Sequence, residues 1–192
     1  MSQDIPQTST EPVQTPPFVI EEIGVDRVED SLEMFKNYML FYKFDQPIEK
    51  IREFITRRLQ TGSKIFLAYL TPEQQDGEGE SVNEKRKVIG LCQLYPLWST
   101  PALEENWVLN DLYVDSEYRS LHIGRSLIKH ALEYGDKSGA YSMEIGTRVN
   151  NHRGQHLYPK MGCVEYTRYG DKIRYAYKYD RAKSKHYPTY YE

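Results

Sequence analysis

Apolar residues recur along the chain with two periods, and the change between them predicts where helices and strands lie. Helical spacing runs from Asp26, a candidate N-cap, to Phe44, and again from Ile48 to Leu59, ahead of Gly62. Strand-like runs cover 18–23, 64–70, 87–98, 107–115, 141–149 and 164–179. With further helices after 122 and after 151, this order predicts an α/β (α+β) fold with a mixed sheet.

The segment 110–124 joins a strand to a basic turn that opens directly into an amphipathic helix. Residues 107, 109, 111, 113 and 115 alternate with their neighbours, which predicts one strand face that is more apolar than the other. Free N–H groups at the helix start, together with Arg119 and Arg125, predict a site for a phosphate. Neither the three-glycine dinucleotide fingerprint nor a Gly-Lys-Ser/Thr loop is present in this segment.

This turn resembles the pyrophosphate-binding signature of the GNAT superfamily of acetyl-coenzyme A-dependent N-acetyltransferases, small fungal and bacterial members included. The signature is Arg or Gln, two variable residues, Gly, one variable residue, and Gly or Ala, and it falls on Arg119, His122 and Gly124. His122 stands where the family has its first glycine, so a positive φ there strains the backbone, although histidine tolerates it better than most residues. A second block, NHRGQHLYPKMGC at 151–163, resembles the family's later helix.

The resemblance implies a mostly antiparallel central sheet flanked by helices, with splayed fourth and fifth strands and acetyl-coenzyme A in the opening. The pantetheine arm then lies along the fourth strand, and the phosphates bind the turn and the later helix. The implied cofactor residues are Leu112, Tyr113, Val114, Arg119, Ser120, Leu121, His122, Ile123, Gly124, Arg125 and Asn151. An alternative role for Asn151 is an ordinary helix cap, and one side chain can serve both purposes.

Two side chains are the candidate catalytic groups. Attack of an amine on a thioester requires a deprotonated nucleophile, a stabilised oxyanion and a proton for the departing thiolate. Tyr158 matches the family's general-acid tyrosine, and Asp111 lies on the fourth strand, where relatives often carry a carboxylate. Asp111 then acts as a base through water or anchors the substrate. Pro159 disfavours helical geometry at Tyr158, and packing and a surface ion pair are the structural alternatives for the two residues.

The family's acceptor pocket is bounded by the first two helices and the end of the third strand. Its candidate substrate-binding residues are Tyr38, Tyr42, Tyr95 and Trp98, with Asp45 and Glu49 nearby. Aromatic rings beside carboxylates suit a cation, which favours a small primary amine or a polyamine as the acceptor. A protein-lysine or histone acetyltransferase is the alternative enzyme. A coenzyme A-binding regulatory module without catalysis is the alternative from another class, and relatives often form homodimers through their C-terminal strands.

Composition and charge disfavour several other classes of protein. The 192 residues carry a net charge of -3, which disfavours a nucleic-acid binder that depends on phosphate contacts. Cys92 and Cys163 predict no disulfide framework, and no apolar run approaches the ~20 residues of a membrane span. A cytoplasmic protein, with the nucleus as an alternative, is the expectation. His152 and His156 lie four residues apart, but no carboxylate or cysteine completes a metal site in that pattern, so no metal is expected.

The domain organisation follows from where apolar residues are missing. Residues 1–17 are rich in Ser, Thr, Gln and Pro and predict a flexible tail. A single N-acetyltransferase domain is expected over 18–182, and a C-terminal tail over 183–192.

Overall fold

A computed structural model describes residues 17–71, 86–100 and 103–180 of the chain. In chain order its elements are β1 (Phe18–Ile23), α1 (Val28–Phe41), α2 (Ile48–Gln60), β2 (Lys64–Leu70), β3 (Val88–Ser99), β4 (Glu104–Val114), α3 (Ile123–Lys137), β5 (Ser142–Arg148), α4 (His152–Lys160), β6 (Val164–Tyr169) and β7 (Lys172–Lys178). Short 3₁₀ turns at Val25–Arg27 and Ser116–Tyr118 precede α1 and α3. The predicted order of helices and strands is confirmed. The predicted tails at 1–17 and 183–192 lie outside the described residues, apart from residue 17.

The strands form one sheet in the order β1-β2-β3-β4-β5-β7-β6. Every neighbouring pair is antiparallel except β4 and β5, which run parallel and pair only from Trp107↔Met143 to Leu109↔Ile145. Beyond Leu109 the two strands diverge, so the β4 backbone turns an unpaired edge towards β5. The predicted mixed, mostly antiparallel sheet with splayed fourth and fifth strands is confirmed.

Helices cover the two faces of this sheet. On one face, here called the α1–α2 face, Phe35, Ile51 and Ile55 pack against Leu67 and neighbouring strand residues. On the other, the α3–α4 face, Leu127 and its neighbours on α3 join residues of β3, β4, β5 and α4 in a second buried cluster. Burial of these apolar stripes fixes both helix pairs on the sheet, since each buried large side chain contributes about 1.5–3 kcal/mol.

A β-bulge in β4 changes which side chains share a face. Leu94 pairs with Leu109 and Gln93 with Asp111, so Asn110 is an extra residue without a partner on β3. An extra residue reverses the alternation of side chains, because successive residues of a strand point to opposite faces. Trp107 and Leu109 therefore lie in the α3–α4 core, whereas Asp111 and Tyr113 contact residues of the α1–α2 side. The unbroken alternation predicted from 107 to 115 is wrong at this point.

The start of α1 also differs from the prediction. Asp26 lies inside the 3₁₀ turn, and α1 begins at Val28 with Arg27 in the N-cap position and no side-chain cap bond. Arg27 instead donates to Glu21, Asp30 and Tyr69, which ties the helix start to β1 and β2. Contacts between elements, rather than a local cap, therefore position this end of α1.

Candidate functional site

A cleft of about 1540 Å³ opens where β4 and β5 diverge. The end of α1 bounds it on one side, α4 and β7 bound it on the other, and the turn before α3 closes one end. Most of the predicted site residues line it, and these are Tyr38, Tyr42, Leu112, Tyr113, Val114, Arg119, Ser120, His122, Ile123, Gly124, Arg125, Asn151 and Tyr158. The cleft therefore unites all but one of the predicted cofactor residues with one of the two candidate catalytic side chains.

The turn before α3 leaves main-chain donors facing this cleft. Ser120 and His122 have positive φ angles of 68° and 61°, so the backbone is left-handed at both positions. His122 occupies the N-cap of α3, and its side chain makes no cap hydrogen bond. The first N–H groups of a helix have no partner within the helix, and the helix dipole adds partial positive charge there. With Ile123, Gly124 and Arg125 lining the cleft, the turn has the geometry of an anion site.

Arg119 ties this turn to both β4 and α1. Its Nε donates to the carbonyl oxygen of Val114 at 3.0 Å. Its guanidinium also lies 5.4 Å from the ring centroid of Phe41 and 5.5 Å from that of Tyr113. These contacts hold the charge at the mouth of the cleft by cation–π attraction as well as by a hydrogen bond. Leu121, a further predicted cofactor residue, packs against the α3–α4 core rather than lining the cleft.

Tyr158 projects from α4 into the interior and is only 5% exposed. Its ring centroid lies 5.4 Å from that of Tyr175, and burial raises the pKa of its phenol to about 12, against a smaller lowering by Thr147. Pro159 is the penultimate residue of α4, so the helix lacks the hydrogen bond that an N–H would donate there, and it ends one residue later. A buried phenol with this pKa keeps its proton at neutral pH and can donate it.

Asn151 is the N-cap of α4. Its Oδ1 accepts from the Gly154 N–H at 3.0 Å, and its Nδ2 donates to Thr147 Oγ1 at 2.9 Å. The predicted cap is thus present in the structure. Its exposed side chain also faces the cleft, so the cap and a cofactor contact are geometrically compatible.

Asp111 lies behind the cleft lining, on the α1–α2 side of the sheet, and is 8% exposed. Its Oδ2 accepts from Asn110 Nδ2 at 3.1 Å and from the Tyr95 hydroxyl at 3.5 Å. Burial raises the pKa of this carboxyl, although hydrogen bonds from Asn110, Tyr38 and Tyr95 lower it in part. Asp111 therefore faces the cleft through Tyr38 rather than directly. Tyr95, which is half-buried and lies outside the cleft lining, donates to the same carboxyl.

Aromatic rings form the α1 side of the cleft. The Tyr38 ring meets Tyr42 edge to face at 5.2 Å and Tyr113 at 5.8 Å. Phe41 and Phe44, which were not predicted as site residues, also line the cleft, and Phe44 is 64% exposed. No local spacing distinguishes these two residues from the others in the run predicted to be helical up to Phe44. Trp98, at the far end of β3, is 67% exposed and lies outside the cleft lining.

Positive charge dominates the cleft. Among the described residues that line it, the Arg and Lys side chains are Arg119, Arg125, Arg148, Arg153, Lys160, Lys172 and Arg174. Glu144 is the one carboxylate in the same described lining. Of these, only Arg119 and Arg125 were predicted from the sequence. Arg153 and Lys160 lie on α4, within the block at 151–163, whereas Arg148, Lys172 and Arg174 reach the cleft through the pairing of β5 with β7. This charge suits a ligand with several negative groups.

Neither a metal-binding cluster nor a membrane-spanning helix is found in residues 17–71, 86–100 and 103–180. Among these residues, no group of three or more His, Cys, Asp or Glu side chains is arranged to hold a metal ion. His152 and His156 are both exposed and line the cleft. No helix among the described residues is long and apolar enough to cross a membrane. The cytoplasmic location stays a prediction.

Known proteins share both the sequence pattern and the architecture. A model of the acetyltransferase (GNAT) family matches residues 32–163. The uncharacterized N-acetyltransferase YhfO of Bacillus subtilis (strain 168) is 27% identical over 134 residues, which cover 70% of this chain and 81% of YhfO.

Solved structures agree with these sequence matches. The crystal structure of a probable acetyltransferase superposes with a TM-score of 0.67 and 28% identity, over 79% of this chain and 95% of that one. The PaiA N-acetyltransferase from Thermoplasma acidophilum, solved in complex with coenzyme A, has a TM-score of 0.60 and 18% identity. That match covers 85% of this chain and 99% of PaiA, and at this identity it supports the fold alone.

Proposed function

The chain belongs to the acetyltransferase (GNAT) family, and from that premise we propose that it transfers the acetyl group of acetyl-coenzyme A to a small primary amine. Both substrates bind together, and the amine attacks the thioester directly. One observation carries the proposal: β4 and β5 separate beyond Leu109, and the turn before α3 closes the resulting cleft with main-chain donors. Such an opening accepts an extended thioester carrier whose phosphates meet a helix N-terminus.

The residues around the opening fit coenzyme A. Leu112, Tyr113 and Val114 offer the unpaired edge of β4 to the amide groups of the pantetheine arm. N–H groups from Leu121 to Arg125, together with the charge of Arg119, bind the diphosphate, and Ser120 and His122 give the backbone its left-handed path there. Asn151 contacts the same carrier from the start of α4. Arg125 on α3 and Arg153 and Lys160 on α4 also line the cleft and support this assignment, because the carrier is a polyanion.

Tyr158 and Asp111 divide the proton transfers between them. As the amine nitrogen bonds to the carbonyl carbon and the carbon–sulfur bond breaks, the phenol of Tyr158 donates its proton to the sulfur. Asp111 takes the amine's proton through water, or holds the ammonium form in place before attack. Burial of both groups supports these roles, because it keeps the phenol protonated and makes the carboxylate a stronger base.

The acceptor site lies along the aromatic side of the cleft. Tyr38 and Tyr42 present rings to a cationic amine, with Asp111 and Tyr95 behind them. Aromatic faces and a nearby carboxylate attract an ammonium group by cation–π and ionic forces. A small primary amine or a polyamine fits this description. Trp98 contacts the acceptor only if the acceptor extends past the end of β3.

We also propose a homodimer formed through the C-terminal strands. β6 is an edge strand whose six residues are all exposed, and Tyr169 is 87% exposed. An unpaired edge with exposed aromatic residues favours pairing with a second copy. Sedimentation equilibrium of the full chain tests this. A monomer at all concentrations would contradict the proposal, and a dimer that Tyr166→Lys dissociates would support it.

Thiol release tests the activity. Purified protein is incubated with acetyl-coenzyme A and a panel of amines, and free coenzyme A is measured. Release that depends on an amine and is lost in Tyr158→Phe supports the enzyme. Tight binding of acetyl-coenzyme A without release across the whole panel would instead indicate a regulatory module.

The phosphate assignment has its own test. Arg119→Glu should weaken coenzyme A binding about tenfold or more, since it replaces attraction by repulsion at the diphosphate. Arg57→Glu, on an exposed position of α2 outside the cleft, is the matched control. Unchanged affinity in Arg119→Glu would show that the diphosphate binds elsewhere.

A further inference from the structure

The cations of the cleft lie on two different faces of the sheet. Ile145 on β5 and Ile173 on β7 are both buried in the α3–α4 core. Successive residues of a strand point to opposite faces, so the residues of β5 and β7 that alternate with these isoleucines project to the other face of the sheet. The register pairs Arg148 with Lys172 and Gly146 with Arg174. Arg148, Lys172 and Arg174 therefore form a basic wall on the α1–α2 face, across the sheet from the core that supports the phosphate turn.

This basic wall is only partly neutralised. Arg174 Nη1 lies 3.3 Å from Glu144 Oε2, which also accepts from the Tyr166 hydroxyl at 2.9 Å. Arg148 pairs with Asp171 at 3.5 Å, and both of these side chains are more than half exposed. Lys172 has no ion-pair partner within the part of the chain that the structure describes. An anion that enters the cleft on this face therefore meets unsatisfied positive charge.

The facing wall has the opposite character. Tyr38 and Tyr42 present aromatic rings, and the carboxyl of Asp111 lies behind Tyr38. A molecule that spans the cleft on this face thus has a carboxylate and ring faces at one end and cations at the other. A polyamine would place one of its ammonium groups beside the basic wall, which like-charge repulsion disfavours.

We propose that the acceptor is a primary amine that also carries a carboxylate, with its amine towards Tyr38 and its carboxylate on Arg148, Lys172 and Arg174. This inference rests on the proposed function and narrows its substrate class. The amine lies on the side where acetyl transfer takes place, and the carboxylate sets the orientation by charge-assisted hydrogen bonds.

Matched acceptors test the proposal. ω-Amino carboxylates of increasing chain length are compared with their carboxamides and with diamines of equal length, using thiol release with saturating acetyl-coenzyme A. The carboxylates should be preferred over the carboxamides about tenfold in kcat/KM, the factor that one charge-assisted contact supplies. The diamines should be the poorest substrates.

A charge reversal locates the contact. Lys172→Glu should abolish the preference for carboxylates over carboxamides while the KM for acetyl-coenzyme A stays unchanged. Lys178→Glu is the matched control, because Lys178 is an exposed residue of the same strand and the same face but lies outside the cleft lining. It should leave the preference intact.

The outcomes separate this inference from the function on which it rests. Equal use of carboxylates and carboxamides by the wild-type chain would overturn the inference and leave the acetyltransferase proposal standing. A rise in the KM for acetyl-coenzyme A in Lys172→Glu would also overturn it, because the basic wall would then bind the carrier's phosphates. Absence of release with every carboxylate, carboxamide and diamine would refute the proposed function itself.

Discussion

The phosphate turn and the buried pair Tyr158 and Asp111 serve the same cleft but are built in opposite ways. The turn is one short exposed segment whose useful groups are main-chain N–H donors. The pair combines side chains from α4 and β4, both nearly excluded from water, whose pKa values burial raises. Substitutions in the turn should therefore act on cofactor affinity, whereas substitutions of the pair should act on the rate and its pH dependence.

The largest expected effect comes from the phenol of Tyr158. Tyr158→Phe removes one buried oxygen and keeps the ring, so kcat should fall about a hundredfold or more, as for loss of a general acid. The KM for acetyl-coenzyme A should change little. Steady-state thiol release measures both constants, and thermal unfolding checks that the fold is retained.

Tyr175→Phe is the control for this substitution. Its ring contacts that of Tyr158 and is also buried, but it lies outside the cleft lining. Its kcat should stay close to that of the wild-type chain. Equal rates for the wild type, Tyr158→Phe and Tyr175→Phe would mean that Tyr158 only packs α4 against the sheet. The buried pair would then have no catalytic role at this position.

Asp111→Asn should lower kcat/KM about tenfold, less than the phenol, because Asp111 acts through water or as an anchor. In the wild-type chain kcat/KM should rise with pH through a pKa above the ordinary carboxyl value, since burial raises the pKa of Asp111. The variant should lose this rise. A pH profile with the same limb in both proteins would assign the titration to another group.

Asp111→Asn should raise the stability of the chain at neutral pH, although it lowers the activity. The pKa of Asp111 is higher in the folded chain than in the unfolded chain. At pH values between these two pKa values, the folded chain therefore binds more protons than the unfolded chain does. Stability is then fully present below the unfolded pKa and falls as pH rises through the folded pKa. Asp111→Asn should therefore be more stable than the wild type at neutral pH, and urea unfolding should show this advantage disappearing in acid.

The difference between a local turn and a site assembled from distant elements also explains which features could be predicted from the sequence. The turn, the α3 stripe and the block at 151–163 are local, and each was found because neighbouring residues determine it. The bulge at Asn110 is fixed by pairing with β3, so strict alternation grouped Asp111 with Trp107 and Leu109, from which the structure separates it. Phe44 and Lys172 reach the cleft only through packing of distant elements, and no local spacing indicates that.

Asn151 lies between the two kinds of site, since its side chain caps α4 and also faces the cleft. Asn151→Ala should reduce the free energy of unfolding by about 1 kcal/mol through loss of the cap. Asn151→Asp keeps a cap acceptor and should recover most of that stability. If coenzyme A affinity falls in both variants, measured by calorimetry, Asn151 is a ligand as well as a cap. An affinity that changes in neither would leave it a cap alone.

The smallest effect should come from His122, where the left-handed backbone rather than the imidazole is expected to matter. His122→Gly relieves the strain of a φ of 61°, and it should add about 0.5–1 kcal/mol to the free energy of unfolding after the greater flexibility of glycine in the unfolded chain is offset. The same change at His156, an exposed position inside α4, should instead cost about half a kcal/mol. Coenzyme A affinity should stay within about twofold in His122→Gly, because main-chain donors bind the diphosphate. A large loss of affinity would mean that the imidazole itself contacts the ligand, and the turn would then resemble the interior in depending on a side chain.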